Sequence, residues 1–175
     1  MNAQICIDAS IALQLILPAT KSGFADTLFK KWDDSGIQII SPPIFDIDIT
    51  TIIRKLMQMK LLTPQQGEQA FQHYQLIGIN IINPPSLIQT AWDMTEKYFP
   101  AHVSDLHYLA LTELVNAEFW TANPRLYSSL KDKNPRVRFL GDFSASPPDI
   151  PAVAEKKVDS HKSTRSDFPG LWRAI

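Results

Sequence analysis

The sequence predicts an α/β fold in three layers, with a mostly parallel central sheet and helices on both of its faces. Two observations lead to this prediction. Short apolar runs alternate with amphipathic stretches along residues 1–143, which is the pattern of strands joined by crossover helices. The composition is also that of a globular chain, because 45% of the 175 residues are hydrophobic and 20% are charged.

In the N-terminal part, each element is marked by an apolar run and by the residue that interrupts it. Residues 5–7 are a predicted buried strand, and Ser10 is the predicted N-cap of a helix over 11–17. A second helix is expected at 22–32, where apolar residues recur every four positions, and a second strand follows at 37–40. This order indicates the first crossover of a parallel sheet.

In the middle of the chain, proline marks where helices begin. A proline pair precedes a helix predicted over 44–59. Thr63 is the predicted N-cap of the next helix, with Pro64 at its first position. The short apolar run after that helix predicts a third strand at 79–82.

The last elements continue the alternation of helix and strand. Helices are predicted over 86–98 and 104–115, a fourth strand over 118–121, a short helix over 124–130 and a fifth strand over 137–140. In sheets of this kind, ligands bind beyond the carboxyl ends of the strands. Candidate functional residues are therefore expected at that edge.

Composition and charge exclude several classes of protein. The single cysteine, Cys6, excludes an internal disulfide framework and a zinc site built from several cysteines. A net charge of -1 argues against a protein that coats nucleic acid through its bulk charge. The sequence has neither a signal peptide nor an apolar stretch long enough to span a membrane, so we expect a cytoplasmic protein with no membrane partner.

The composition changes at about residue 144, which predicts three segments. Residues 1–143 are the predicted folded domain, and residues 144–167, rich in Ser, Pro, Lys and Asp, are a predicted mobile linker. Residues 168–175 contain four large apolar side chains, which indicates a docking segment with Trp172 as its anchor.

Acidic and amide side chains recur near the predicted carboxyl edge of the sheet. Asp8 follows the first strand and Asn123 the fourth, while Asp105 opens a strongly apolar helix. The helix after the proline pair carries Asp46 and Asp48 on opposite margins of its apolar stripe, and periodicity does not choose between them. Each residue alone has a structural explanation as a helix cap or as a partner of the helix dipole. Together they predict a site for Mg²⁺ or Mn²⁺, because clustered carboxylates repel one another and oxygen ligands suit these ions.

Four motifs stand in order along residues 4–143. They are Ile7-Asp-Ala-Ser10, the proline-led segment 41–54 that ends in Arg54, Val103-Ser-Asp105-Leu-His-Tyr108, and Phe119-Trp-Thr121-Ala-Asn123-Pro-Arg125. Their order and spacing resemble those of the PIN-domain family, specifically the VapC-like toxin ribonucleases of bacterial toxin–antitoxin pairs. In that family the second acid comes six positions after the first proline, so the resemblance selects Asp48 over Asp46.

The resemblance implies a three-layer PIN-like fold and an endoribonuclease activity. The implied reaction is cleavage of RNA phosphodiester bonds with Mg²⁺ or Mn²⁺ as the cofactor. The implied protein partners are an antitoxin and a second copy of the chain, which would form a homodimer.

The resemblance also implies roles for individual residues. The residues implied to be catalytic are Asp8, Asp48, Asp105 and Asn123. The three aspartates are implied to bind the metal, with Asp48 either as a ligand or as the base that orients water. Two hydroxyls, those of Ser10 and Thr121, are implied to orient the ligands. The cations expected to hold the RNA backbone are Arg54, Lys55 and Arg125.

The chain departs from the family pattern at two positions. Asp48 is one methylene shorter than the Glu that is usual there, and Asn123 stands where many members have a fourth Asp, with Leu126 instead of an acid three positions later. Three functions are compared on this basis: an active ribonuclease weakened by Asn123, a catalytically weak PIN-fold module that binds RNA or a protein, and an unrelated phospho-acceptor domain. The third is disfavoured, because neither 37–41 nor 118–121 offers the acceptor Asp and the Lys that it needs.

Overall fold

The centre of the structure is a parallel β-sheet. A computed structural model of the chain describes residues 3–17, 23–99 and 101–143. The strands of these residues are β1 (Gln4–Ile7), β2 (Gln38–Ser41), β3 (Asn80–Ile81), β4 (Glu118–Thr121) and β5 (Val137–Phe139). They form one sheet in the order β3-β2-β1-β4-β5, and every pair of neighbours is parallel. The predicted α/β fold class is confirmed.

Helices flank this sheet. They are α1 (Ala9–Ile16), α2 (Gly23–Asp34), α3 (Ile44–Gln58), α4 (Pro64–Leu76), α5 (Leu87–Asp93), α6 (Thr95–Tyr98), α7 (Val103–Val115) and α8 (Pro124–Leu130), with a 3₁₀ turn at Leu140–Asp142. α1 packs against α2, α3 and α4, whereas α7 packs against α5 and α6. Both α1 and α7 also contact the central strands β1 and β4.

The middle of the sheet is covered on both faces. Ile5, Cys6 and Ile7 of β1 point alternately to opposite faces of the sheet, and all three are buried. A fully apolar central strand is typical of a parallel sheet with helices on both sides. Burial also raises the pKa of the Cys6 thiol, so this side chain is a neutral packing group.

Capping signals in the sequence set several helix boundaries. Thr63 is the N-cap of α4: its hydroxyl accepts the Gln66 N–H at 3.2 Å, and the Gln66 side chain accepts the Thr63 N–H at 2.9 Å. This reciprocal pair is a capping box, whose cap residue contributes about 1 kcal/mol to stability. β4 and α8 also have their predicted bounds.

The first helix begins earlier than predicted, and its N-cap is Asp8 rather than Ser10. α1 starts directly after β1, and Asp8 Oδ1 accepts the Ile11 N–H at 3.2 Å. Ser10 lies inside the helix and donates its hydroxyl proton to Asp8. Asp and Ser are equally good caps, so the prediction of Ser10 was wrong because two candidates stood two positions apart.

The helix predicted over 86–98 is divided into α5 and α6. Met94 lies between the two helices, and the Thr95 hydroxyl donates to the Trp92 carbonyl at 2.8 Å across the division. β3 is also shorter than predicted: it is an edge strand and pairs only with β2, through two residue pairs. β5 ends one residue early because the 3₁₀ turn begins at Leu140.

Some predictions concern residues that the structure does not describe. The linker at 144–167, the docking segment at 168–175 and the helix start at Ser22 lie outside the described residues. These stay predictions. Within the described ranges, no helix is both long enough and apolar enough to cross a membrane.

Candidate functional site

The candidate site lies at the carboxyl edge of the two central strands. Asp8 directly follows β1, and Asn123 follows β4 after one intervening residue. β1 and β4 are parallel neighbours, and the Asp8 N–H donates to the Trp120 carbonyl at 3.3 Å. The topology therefore brings together two positions that are far apart in the sequence, at the edge where ligands bind in such sheets.

Asp8 is buried and held on both carboxylate oxygens. The Ser10 hydroxyl donates to Oδ1 and the Thr121 hydroxyl to Oδ2, each at 2.5 Å. Only 6% of the residue is exposed. Hydroxyl–carboxylate bonds of this length are charge-assisted and strong, so the Asp8 side chain has one fixed orientation. We call these three residues the Asp8 clasp.

The hydroxyls of the Asp8 clasp are themselves fixed by the backbone. The Ala122 N–H donates to Ser10 Oγ at 2.8 Å, and the Asn123 N–H donates to Thr121 Oγ1 at 3.0 Å. Because each hydroxyl oxygen accepts a backbone proton, its own proton is directed to Asp8. This geometry agrees with the orienting role expected for Ser10 and Thr121.

The structure separates the two aspartates that the sequence left as alternatives on α3. The Tyr108 hydroxyl, on α7, donates to Asp48 Oδ2 at 2.6 Å. The Tyr74 hydroxyl, on α4, donates to Asp46 Oδ1 at 2.6 Å. Asp48 is therefore turned toward the helix that carries Asp105, whereas Asp46 is turned to the other side.

Electrostatic interactions connect the three candidate aspartates. Burial raises the pKa of Asp8 to about 6; its hydrogen bonds oppose this shift and the charge of Asp105 adds to it. Burial also raises the pKa of Asp105, and the charge of Asp48 raises it further. Burial likewise raises the pKa of Asp48, against the opposing effect of its Tyr108 hydrogen bond. Asp105 thus interacts with both of the other carboxylates.

Two histidines provide partial compensation for this negative charge. His102 lowers the pKa of Asp105, and His107 lowers that of Asp48, in each case against a larger effect of burial. A ring nitrogen of His107, Nδ1, lies 2.8 Å from the Val103 carbonyl. Uncompensated carboxylates of this kind bind cations, because a cation favours their ionised form.

The carboxylate oxygens of Asp8, Asp48 and Asp105 are the kind of ligand that a hard cation prefers, but these side chains do not form a complete set of metal ligands. No group of three or more His, Cys, Asp or Glu side chains among residues 3–17, 23–99 and 101–143 is arranged so that it could hold a metal ion. The expectation that Asp8, Asp48 and Asp105 all ligate one ion therefore stays a prediction. Mg²⁺ is commonly bound by only one or two carboxylates, with water and phosphate oxygens as the remaining ligands. Asp8 and Asp105, whose charges interact at this edge, are the two carboxylates considered for such a site.

Asn123 uses its side chain as a helix cap. Its Oδ1 accepts the Arg125 N–H at 3.0 Å and the Leu126 N–H at 3.3 Å, which makes it the N-cap of α8. An amide oxygen has two lone pairs, and both are directed at backbone donors here. The structure brings Asn123 to the edge of the site, where its backbone supports the Asp8 clasp.

The candidate RNA-binding cations are exposed and lie in different places. Arg54 lines a cavity of about 160 Å³ between α3 and α4, together with Glu68 and Phe71. It is thus on the Asp46 side of α3. Lys55 is exposed one position further along the helix, and Arg125 is exposed beside Asn123.

Tyr108 belongs to this region, although the sequence alone indicates no function for it. It follows Asp105 by one helical turn, and residues at this spacing share a face of a helix. That spacing was the available signal, but an apolar helix face explains a tyrosine equally well. Its hydrogen bond to Asp48 is visible only once α3 and α7 are placed beside each other.

Two comparisons with known proteins, one with family models and one with curated proteins, found no match. The geometry and chemistry of the Asp8 region therefore carry the functional argument.

Proposed function

We propose that this protein is a metal-dependent ribonuclease of the PIN-domain type, similar to VapC-like toxins, which cleaves RNA phosphodiester bonds with Mg²⁺ or Mn²⁺. One observation carries the proposal: a buried, rigidly held Asp8 interacts with Asp105, which in turn interacts with Asp48, at the carboxyl edge of a parallel sheet. A carboxylate held in this way at a ligand-binding edge is unusual for a residue with a purely structural role.

The roles of the chain's own residues follow from their contacts. Asp8 and Asp105 would hold the ion, and the Ser10 and Thr121 hydroxyls would keep Asp8 in a fixed orientation. Asp48 would act as a ligand or as the base that orients water, because its raised pKa favours accepting a proton. The chemistry that a divalent ion supplies when bound is activation of water and stabilisation of charge on the phosphate.

RNA would reach this edge of the sheet through exposed cations. Arg125 is the best placed, because it lies two positions after Asn123, in the first turn of α8. Lys55 is a second candidate on α3. Arg54 is less well supported, because it faces the cavity between α3 and α4. Phosphate contacts of this type hold the RNA backbone and do not read its sequence.

A second function is supported by the cap at Asn123. Because its amide oxygen already accepts two backbone protons, Asn123 adds neither charge nor a free oxygen to the site. Metal binding would then depend on fewer ligands. The chain could in that case be a catalytically weak PIN-fold module whose task is to bind RNA or a protein partner.

The proposal includes two protein partners, an antitoxin and a second copy of the chain in a homodimer, and a cytoplasmic location. Exposed apolar side chains support a protein partner in general. Ile88 and Trp92 lie one turn apart on α5 and are 72% and 66% exposed. Exposed apolar side chains that adjoin one another are typical of interaction surfaces.

The experiment that tests the proposal is RNA cleavage by the full chain with Mg²⁺, with Mn²⁺ and with a chelator. Wild type is expected to cleave total RNA only with a divalent ion. Asp8→Asn and Asp105→Asn should each abolish cleavage. The matched control is Asp93→Asn, which removes an exposed carboxylate on α5 and should cleave like wild type.

Three outcomes distinguish the functions. Cleavage that persists in the chelator or in Asp8→Asn would rule out this site. Metal-dependent RNA binding without cleavage would favour the catalytically weak module. Neither binding nor cleavage by wild type would contradict both functions.

A further inference from the structure

Tyr108 connects the two helices that carry Asp48 and Asp105. It lies on α7 one turn after Asp105, and its hydroxyl reaches across to α3, where it donates to Asp48 Oδ2 at 2.6 Å. The phenol is therefore a neutral donor that joins α7, the helix of Asp105, to Asp48 on α3.

The ring of Tyr108 is held rigidly. Only 1% of the residue is exposed, and its ring stacks on that of Phe119 in β4, with 6.0 Å between the ring centres and 20° between their planes. Phe119 is itself fully buried in the central sheet. A tyrosine packed in this way has one side-chain conformation, so the position of its hydroxyl is fixed by the sheet.

Asp48 needs a partner of this kind to stay near Asp105. The Tyr108 hydrogen bond turns Asp48 toward α7, where Asp105 lies one turn before Tyr108, and two carboxylates brought to the same side of a helix repel each other. An aspartate at the edge of a helix has several staggered conformations, and repulsion favours those that point to solvent. The Tyr108 hydrogen bond opposes this, because it stabilises the conformation in which Asp48 is turned toward α7.

We propose that Tyr108 is a positioning residue, whose hydroxyl holds the Asp48 carboxylate beside Asp105 and leaves Asp48 Oδ1 to bind a divalent cation or its water. This inference rests on the proposed function, since it assigns Asp48 to the same metal site. Tyr108 does not touch the reacting atoms; it acts through Asp48.

The chain contains a matched control for this role. Tyr74 donates to Asp46 on the same helix at the same distance of 2.6 Å, on the side away from Asp105. Replacing either tyrosine with phenylalanine removes one hydroxyl and one tyrosine–aspartate bond, and it keeps the ring. A purely structural role predicts that both variants behave alike.

The test compares Tyr108→Phe and Tyr74→Phe with the wild-type chain. Carboxyl ¹³C NMR is recorded during titration with Mg²⁺, with the Asp48 resonance assigned from Asp48→Asn, and RNA cleavage is measured at saturating Mg²⁺. In Tyr108→Phe we expect the Asp48 resonance to lose its response to Mg²⁺ while those of Asp8 and Asp105 keep theirs. The kcat should fall about tenfold or more, as for other partners of metal ligands, with KM for RNA unchanged.

Tyr74→Phe should match wild type in both measurements, and thermal unfolding verifies that both variants fold. An Asp48 resonance that responds to Mg²⁺ equally in wild type and Tyr108→Phe would overturn the role of Tyr108 and leave the ribonuclease proposal standing. Equal losses in the two variants would likewise show a structural role only. If wild type shows no Mg²⁺ response and no cleavage, the proposed function itself fails and this inference fails with it.

Discussion

Two tyrosine–aspartate hydrogen bonds leave opposite sides of α3, and they differ in their surroundings. Tyr74 donates to Asp46 and Tyr108 donates to Asp48, each at 2.6 Å. The two aspartates are two positions apart, which corresponds to about 200° around the helix axis. One helix thus presents the same chemical pair to α4 on one side and to α7 on the other.

The two pairs differ in exposure and in neighbouring charge. Asp46 is exposed and borders an open cavity, together with Tyr74 and Phe71. Asp48 is half-buried, its pKa is raised by burial, and its charge acts on Asp105. A hydrogen bond between a tyrosine and an aspartate is therefore not sufficient by itself to indicate a functional site. A second buried carboxylate within electrostatic reach is what distinguishes the Asp48 side.

The largest expected difference between the two sides is in catalysis. Asp48→Asn should lower RNA cleavage about 100-fold or more, because removal of a general base or metal ligand has effects of this size. Asp46→Asn, which removes the matched carboxylate, should cleave RNA like wild type. Initial rates with saturating Mg²⁺ measure both. Similar rates for the two variants would mean that the sides of α3 are functionally equivalent.

A smaller difference is expected between Asp8 and Asp46 in their effect on how stability depends on pH. The pKa of Asp8 is about 6 in the folded protein against an ordinary value of 3.8, which corresponds to about 3 kcal/mol. The folded state holds this proton more tightly than the unfolded state. Below about pH 4, Asp8 is protonated in both states and does not destabilise the fold. As the pH rises from about 4 to about 6, ionisation of the buried Asp8 carboxylate lowers the free energy of unfolding.

Urea unfolding of wild type, Asp8→Asn and Asp46→Asn between pH 4 and pH 7 measures this effect. We expect the loss of stability with rising pH to be smaller in Asp8→Asn by about 3 kcal/mol and to be unchanged in Asp46→Asn. Added Mg²⁺ should restore stability at pH 7 in wild type and not in Asp8→Asn, because a bound cation favours the ionised carboxylate. Identical pH profiles for all three proteins would contradict the raised pKa of Asp8.

The smallest expected effect is confined to the α4 side. Thr63→Ala removes the cap of α4 and should lower the free energy of unfolding by about 1 kcal/mol. Cleavage and the response to Mg²⁺ should not change, since the side-chain bond from α4 to α3 goes to Asp46, on the side away from Asp105. Denaturant unfolding and the cleavage assay together check this. A loss of cleavage at a temperature where the variant is fully folded would show that the two sides are coupled.

Much of the fold was predictable because its signals are local. The capping box at Thr63 and the proline that opens α8 each define a boundary through residues within one helical turn. The division between α5 and α6 was not predictable, because residues 86–98 contain neither the glycine nor the proline that usually marks a helix boundary. Ser10 was taken for the cap because Asp8 and Ser10 are equally good caps two positions apart, and the bond that Ser10 accepts from the Ala122 N–H, just beyond β4, is not visible in the sequence.

The candidate site was predictable only in part, for the same reason. A parallel topology brings Asp8 and the end of β4 to one edge, whatever the details of packing. The choice between Asp46 and Asp48 came from the family register, since both lie at the margins of one stripe. The orientation of Arg54 toward α4 depends on side-chain angles that spacing does not define. The cap at Asn123, by contrast, was one of the two explanations that the sequence offered for this residue.

The Asp8 clasp has a consequence for the order of events during synthesis. Two of its three residues, Asp8 and Thr121, are 113 positions apart in the chain. β1 can pair with β2 early, but its other neighbour, β4, must be made and inserted before Thr121 can reach Asp8. Because contacts between distant residues form only after the intervening chain is available, a growing polypeptide carries an incomplete site until β4 has emerged. Any activity that depends on Asp8 therefore begins only when the central sheet is nearly finished.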